Sequence, residues 1–421
     1  MSSFDMGVEA STALRLGALL LSAGAPGYRV TRAVKRCARA MHFDDADVVV
    51  GFDTITCTVH RGDNFRTLVA DLPLPGVNAS RIEALENLTK HEMHRYTTAE
   101  EINAAIDEIE AIPTPRWGPL TSSCAAGLAC GGFAVLNHFS YFTALLVIIA
   151  AGVGQYVRLR LGRRHLLQLG VVMAAALVST LLFLALAWAL PHSDFELSAG
   201  FVPAILYLVP GFPLFVSLMD LSRFDFTSGL PRLFFALEVV ITMMLTVAVI
   251  AMVTDAPAPS TVSATPDPAF YGAAALASFV SVGGFAILFN ASRRMTLLAA
   301  TLGTVANVLR LMLVDAHVEY FLACLLGTLV IGILGSWLGQ HFRVPRTTVT
   351  IPAAVVMIPG PTIYAALHQI TNGNISAAID STTAVVLTVL FLSGGLTVAR
   401  LLTDKNWAFQ RTVEFRPLEE P

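Results

Sequence analysis

Two short motifs carry the chemistry most open to a small solute. Leu208-Val209-Pro210-Gly211-Phe212-Pro213-Leu214 and Met357-Ile358-Pro359-Gly360-Pro361-Thr362 each set prolines and a glycine inside a long apolar run. Proline removes a backbone N–H and collides with the preceding turn, so each motif reads as a broken helix. In hydrocarbon the freed N–H and C=O groups need new partners. A small zwitterion can supply them, its carboxylate meeting the positive end of a half-helix. A packing kink is the competing reading, and the recurrence of the motif argues against it. Pro210, Gly211, Pro213, Pro359 and Gly360 are therefore candidate substrate contacts.

Carboxylates inside apolar segments come next, since each costs about 2.5–3.5 kcal/mol at a helix centre on insertion scales. Glu238 is flanked by Phe235, Ala236, Leu237, Val239 and Val240, and Asp220 stands at the end of the run that begins at the first break. A protonatable carboxylate in a low-dielectric site can exchange protons with the bulk, so both are candidates for proton coupling, Glu238 first. Asp220 also reads as a solvated helix end. Gln155, Asn307 and Ser217 are the polar side chains assigned to substrate, with Asn137 and Asn290 as further candidates. Arg158 and Arg310 read as snorkelling to the headgroups.

These residues recur. Gly131 to Leu136 reads GGFAVL and Gly283 to Leu288 reads GGFAIL, Gln155 to Leu159 echoes Asn307 to Leu311, and Val209-Pro210-Gly211 echoes Ile358-Pro359-Gly360. A repeat with paired breaks is a transporter's pattern more than a receptor's or an anchor's. Composition agrees: 55% hydrophobic and 14% charged residues exclude an ordinary soluble globule. Residues 1–116 hold 12 Lys or Arg and 16 Asp or Glu, nearly half of all the charge. The reading is a small cytosolic α+β domain (1–116), membrane repeat 1 (117–253), membrane repeat 2 (269–403) and a cytosolic tail (404–421).

Ten apolar segments are expected near 119–137, 140–157, 166–190, 198–219, 231–253, 270–290, 295–313, 320–338, 349–367 and 380–402. With the N-terminus inside, the inward connections carry ten arginines from Arg158 to Arg346, and Arg400, Lys405, Arg411 and Arg416 follow the last helix. The outward loops 191–197, 254–268, 314–319 and 368–379 carry no Lys or Arg, which obeys the positive-inside rule. Five helices per half is an odd number, so the second half must enter the membrane upside down. The fold class is thus a membrane all-α protein of ten helices as two inverted five-helix repeats behind a small α+β domain.

In the N-terminal part, helices are expected at 7–23, 27–41, Ala79–Arg95 and Thr98–Ile112, the last opening with a capping box from Thr98 to Glu101. Val48 to His60 and Phe65 to Ala70 read as a hairpin, with Arg61-Gly62-Asp63-Asn64 as its turn. The apolar stretch Leu14 to Leu21 follows Asp5 and Glu9 and contains Arg15, which does not read as a cleavable signal peptide. Cys37, Cys57, Cys124, Cys130 and Cys324 form no CxxC and no disulfide framework. His91 and His94 lie three apart, one short of the HExxH spacing, and two ligands make no zinc site. No nucleophile motif, phosphate loop or cofactor fingerprint is read, so the chain is expected to be no enzyme and to need neither cofactor nor metal. The formal net charge of −3 gives no reason to expect nucleic acid as a partner.

The stretch Leu19-Leu20-Leu21-Ser22-Ala23-Gly24-Ala25-Pro26-Gly27-Tyr28-Arg29-Val30 resembles the N-terminal motif of the threonine/serine exporter family. So does the stretch from Val209-Pro210-Gly211 through Asp220 to Asp225, Ser228 and Gly229, and the likeness extends over the whole chain in its single-chain form. The resemblance implies export of threonine and serine across the bacterial inner membrane, driven by the proton gradient. It implies as partners the amino-acid substrate, protons, the bilayer and a possible homo-oligomer. Some family members divide the two halves between separate polypeptides, and related members are associated with dicarboxylates, so export of a dicarboxylate is the alternative. A passive channel gated by the soluble domain is a third reading, and a membrane-anchored enzyme needs far fewer helices than ten.

Overall fold

The computed structural model describes residues 3–73, 76–96, 98–164, 166–189, 200–254, 268–409, 413 and 415. Helices α1 (Ser3–Ser22) and α2 (Gly27–Ala40) turn back on each other through Gly24, whose φ of 87° suits glycine alone. They cover a three-stranded antiparallel sheet of β1 (Asp45–Val50), β2 (Thr54–Arg61) and β3 (Asn64–Asp71) in that order. Ile55, Cys57 and Val59 alternate inward along β2 and are buried, the period-two pattern of a strand covered on one face. Helices α3 (Ala79–Asn87) and α4 (Ala99–Glu110) complete the unit.

Two expectations are corrected in this unit. The run Val48 to His60 is two strands, because Gly51 N–H donates to Thr54 O at 2.8 Å and closes a tight turn over Phe52 and Asp53. The β-rich composition runs unbroken across that turn and hid it. The helix expected to reach Arg95 stops at Asn87 and continues as a π turn (Leu88–Glu92) and a 3-10 turn (Met93–Arg95). Thr89 Oγ1 donates to Glu86 O at 3.1 Å and competes for a carbonyl the regular helix would use. Arg61-Gly62-Asp63 is the β2–β3 turn, and the Thr98–Glu101 capping box is formed. Glu86 itself is buried and accepts from Arg29 and Lys90. Burial alone would push its carboxyl up, but the two cations outweigh burial and hold it at about 2.

The rest of the described residues are mostly helical. It runs through α5 (Pro119–Leu136), α6 (Tyr141–Gly162), α7 (Gln168–Ala189), α8 (Phe201–Ile205, extended by a 3-10 turn to Leu208), α9 (Gly211–Leu221) and α10 (Phe226–Val253). Then come α11 (Pro268–Leu288), α12 (Arg293–Asp315), α13 (Tyr320–Phe342), α14 (Arg346–Val355), α15 (Gly360–Thr371), α16 (Ile375–Thr403) and the short α17 (Lys405–Ala408). Among the described residues eight helices are long and apolar enough to cross a membrane, or ten spans if the bent pairs α8–α9 and α14–α15 each count as one. Helix α10 starts five residues earlier than expected, because its first turns hold the polar Thr227, Ser228 and Arg232. The expected outward loop at 191–197, all but the end residues of that at 254–268, and Arg411 and Arg416 lie outside the described residues.

The sequence echoes become matching geometry. Helix α5 ends in a Schellman turn: Phe139 N–H donates to Ala134 O, His138 N–H to Val135 O, and His138 has φ 62°. Helix α11 ends the same way, with Ala291 to Ala286, Asn290 to Ile287, and Asn290 at φ 58°. Ser140 then caps α6 and Ser292 caps α12, each accepting from a backbone N–H three residues on. The His138 ring stacks on Phe270 near the start of α11 at 4.3 Å, whereas Asn290 closes that helix's other end. The two corners therefore lie at opposite ends of α11.

Helices α5 and α11 also meet reciprocally. A Cβ at Gly132 would stand 2.6 Å from Ala277 O, and one at Gly284 would stand 2.4 Å from Ala125 O. Ser281 Oγ donates to Ala129 O at 2.8 Å across 152 residues, the offset that also relates Gly132 to Gly284 and Ala125 to Ala277. Small residues let the two backbones approach this closely.

Candidate transport site

The two bends are built alike. Gly211 N–H donates to Val209 O at 2.8 Å around Pro210 (φ −79°, ψ 57°), and Gly360 N–H donates to Ile358 O at 2.9 Å around Pro359 (φ −80°, ψ 68°). Both are inverse γ-turns, which proline suits because its ring fixes φ and the central N–H is not needed. The bends are 63° and 54°. Each half-helix presses on the other pair's opening glycine. A Cβ at Gly211 would meet Val355 Cγ2 at 2.7 Å, and one at Gly360 would meet Val202 Cγ1 at 3.1 Å. The end of α14 thus seats on the first turn of α9, and α8 on the first turn of α15.

A cavity of about 150 Å³ lies beside the first bend, lined by Arg158, Tyr207, Pro210 and Pro213 and closed on one side by Gly76 and Val77 of the N-terminal unit. That volume is on the order of an engineered cavity that holds benzene, roughly 150 Å³. Arg158 thus turns inward rather than to the headgroups. Tyr207 Oη lies 3.0 Å from Ser179 Oγ, and the space both need exists because residue 154 is glycine. A Cβ there would stand 1.8 Å from Ser179 Oγ. Gln155, one turn before Arg158, is buried with Oε1 unpartnered among the described residues, as is Thr180 Oγ1 in the facing α7.

The other assigned side chains are spent locally. Asn307 is fully buried, donates to Ser278 Oγ at 2.8 Å and accepts from Arg310 Nε at 3.0 Å. Ser217 Oγ donates to Leu214 O at 2.7 Å. Asn290 anchors the N-terminal unit: its amide donates to Asn78 Oδ1 at 2.8 Å and accepts from Arg116 N–H at 2.7 Å. Sequence reasoning did not single out Tyr207 and set Arg158 at the headgroups, whereas both line the cavity beside Pro210.

Asp220 is fully buried at the seam between the unit and the membrane helices. Its Oδ2 receives Arg232 Nη1 at 3.2 Å and Ser228 Oγ at 3.0 Å, and Gly27 N–H at the start of α2 lies 3.2 Å from Oδ1. Arg232 Nη2 continues to Ala25 O at 3.4 Å. The carboxylate therefore caps α2 from another part of the chain, where a helix start favours negative charge. Glu238 lies on the exposed face of α10, one residue from the cavity-lining Val239, and makes no ion pair among the described residues. No three His, Cys, Asp or Glu side chains converge as metal ligands among the described residues.

A family model described as a putative threonine/serine exporter matches residues 11–254, and a second threonine/serine exporter model matches residues 274–402. The chain is similar to the probable succinate transporter subunit YjjP of Escherichia coli K12, 24% identical over 242 residues, which is 57% of this chain and 92% of that protein. It is also similar to the YjjP of Klebsiella aerogenes, 23% identical over 236 residues, 56% of this chain and 89% of that one. No solved structure matches the chain.

Proposed function

The chain belongs to the threonine/serine exporter family, and on that footing we propose that it is a secondary transporter that exports threonine and serine from the cytosol of a bacterium in exchange for protons. The observation that carries this reading is the pair of matched γ-turn breaks, each half-helix packed on the other's opening glycine. Breaks of this kind place helix N-termini where a substrate carboxylate can bind without any charged side chain. The opposed corners of α5 and α11 and their reciprocal glycine contacts support two inverted repeats, the arrangement that opens one site alternately to either face.

In this mechanism the solute enters past Gly76 and Val77 into the cavity beside Pro210. Its carboxylate meets Arg158 beside the start of α9, and its hydroxyl meets Tyr207. Asp220 is the coupling carboxylate that the geometry favours. Protonation would weaken its hold on Arg232 and on Gly27, loosening the unit that closes the cavity. Glu238 faces outward from the helix bundle and is the comparison.

The test is efflux of preloaded labelled threonine from proteoliposomes, with and without an imposed pH gradient, for wild type, Asp220→Asn and Glu238→Gln. The reading expects gradient-stimulated efflux that Asp220→Asn loses. Flux indifferent to the gradient in every protein would make it a passive channel. Flux of succinate but not threonine would keep the transporter and replace its substrate.

A further inference from the structure

A second cavity, of about 660 Å³, opens between the N-terminal unit and the ends of α13, α14 and α16. It falls in the range of small-molecule sites. Eight cationic side chains and two carboxylates line it. One wall brings Arg29, Arg32, Arg36 and Lys90; the facing wall brings Arg343, Arg346, Arg400 and Lys405. Both carboxylates are already engaged: Glu86 holds Arg29 and Lys90, and Asp404 holds Arg400 at 3.5 Å. Arg32, Arg36, Arg343, Arg346 and Lys405 have no carboxylate within ion-pair distance among the described residues.

Two buried donors of these lining residues also lack acceptors among the described residues. Arg346 spends Nη1 on Thr403 Oγ1 at 2.7 Å, while its Nη2 and Arg32 Nε are buried with no hydrogen-bond partner among the described residues. Arg346 also opens α14, whose first turn no side chain caps. Buried guanidinium donors without acceptors are costly, and an anion is the group that satisfies them. Burial, and then the charge of Arg32, pushes Arg36 below its ordinary value, as crowded cations should.

We infer that this chamber is a binding site for a small soluble dianion bearing carboxylate or phosphate groups, held between the N-terminal unit and the membrane helices. Two charged ends are required because the unpaired cations stand on opposite walls. A zwitterion would bring an ammonium into a field already positive. Nearly half the lining residues come from the N-terminal unit, so the site fills from water rather than from lipid. A bound dianion ties the unit to the helices, and the site is separate from the cavity beside Pro210.

The test is calorimetric titration of the full chain in nanodiscs of zwitterionic lipid, with succinate, inorganic phosphate and threonine as probes. Saturable binding of succinate or phosphate is expected, weakened by salt and weakened at least about tenfold by Arg346→Gln. The half-exposed pair Arg32→Gln/Arg36→Gln should do the same from the other wall and leaves the membrane helices untouched. Neither dianion binding, or binding that all these variants leave unchanged, would overturn the site. So would dianion binding that disappears in nanodiscs carrying anionic lipid, since the headgroup would then be the occupant. Threonine efflux measured on the same preparations keeps the two readings apart: flux without dianion binding removes the chamber alone, and dianion binding without flux removes the transport reading alone.

Discussion

Asp220 and Gly27 are 193 residues apart, yet the Asp220 carboxylate lies 3.2 Å from the backbone N–H that opens α2. That contact, with Arg232 reaching on to Ala25 O, fastens the N-terminal unit to the membrane helices at a second place besides Asn290. It gives the Ala25-Pro26-Gly27 turn a physical purpose: proline stops just before the helix, and the following N–H groups are left for a carboxylate.

Breaking the Asp220–Arg232 pair on one side should be costly. Asp220→Asn or Arg232→Gln leaves a buried charge without its partner, at about 3–5 kcal/mol. Thermal unfolding in detergent should fall for each single variant, and the double variant should recover part of the loss. Equal, additive losses would mean that the two side chains do not act as a pair.

Gly27 leaves no room for a side chain, since a Cβ would stand 2.6 Å from Asp225 Oδ2 and 2.8 Å from Ser228 Oγ. Gly27→Ala should loosen the seam and speed proteolytic release of the N-terminal unit. Gly170→Ala, in α7 with nothing within 4 Å, should be neutral or slightly stabilising. Indistinguishable proteolysis of the two variants would remove the argument.

The breaks should matter for flux more than for folding. Pro210→Ala and Pro359→Ala restore an N–H and free φ, which favours a continuous helix across each bend. Threonine efflux should drop at least about tenfold while the monodisperse peak on gel filtration is kept. Full activity in both variants would reduce the bends to packing kinks.

Acid should weaken the N-terminal unit in a defined window. Glu86 is held at about 2 against an ordinary 4.5, so its contribution is present above about pH 4.5 and is lost as pH falls towards 2. Hydrogen exchange of α2 and α3 should rise over that window in the wild type. Glu86→Gln should be less protected at neutral pH and flat across the same range. A wild-type profile parallel to that of the variant would place the acid sensitivity elsewhere.

The spans were legible because membrane burial writes itself as long apolar runs, and Pro210 and Pro359 marked the bends within them. The corner shared by His138 and Asn290 was not, because a left-handed residue is recognised by its φ and these two side chains have nothing else in common. The turn at Gly51 was hidden inside a continuous run of β-formers. The partners of Asp220 could not be read either, since they stand at positions 27, 228 and 232. The cationic chamber draws on side chains from Arg29 to Lys405, whose signs are plain in the sequence and whose convergence is not.

The reciprocal contact of Gly132 with Ala277 and Gly284 with Ala125 has the logic of a twofold dimer interface enclosed in one chain. Helix α5 seats its small residues on α11 as α11 seats its own on α5, so a larger side chain at Gly132 or at Gly284 would part the same two backbones.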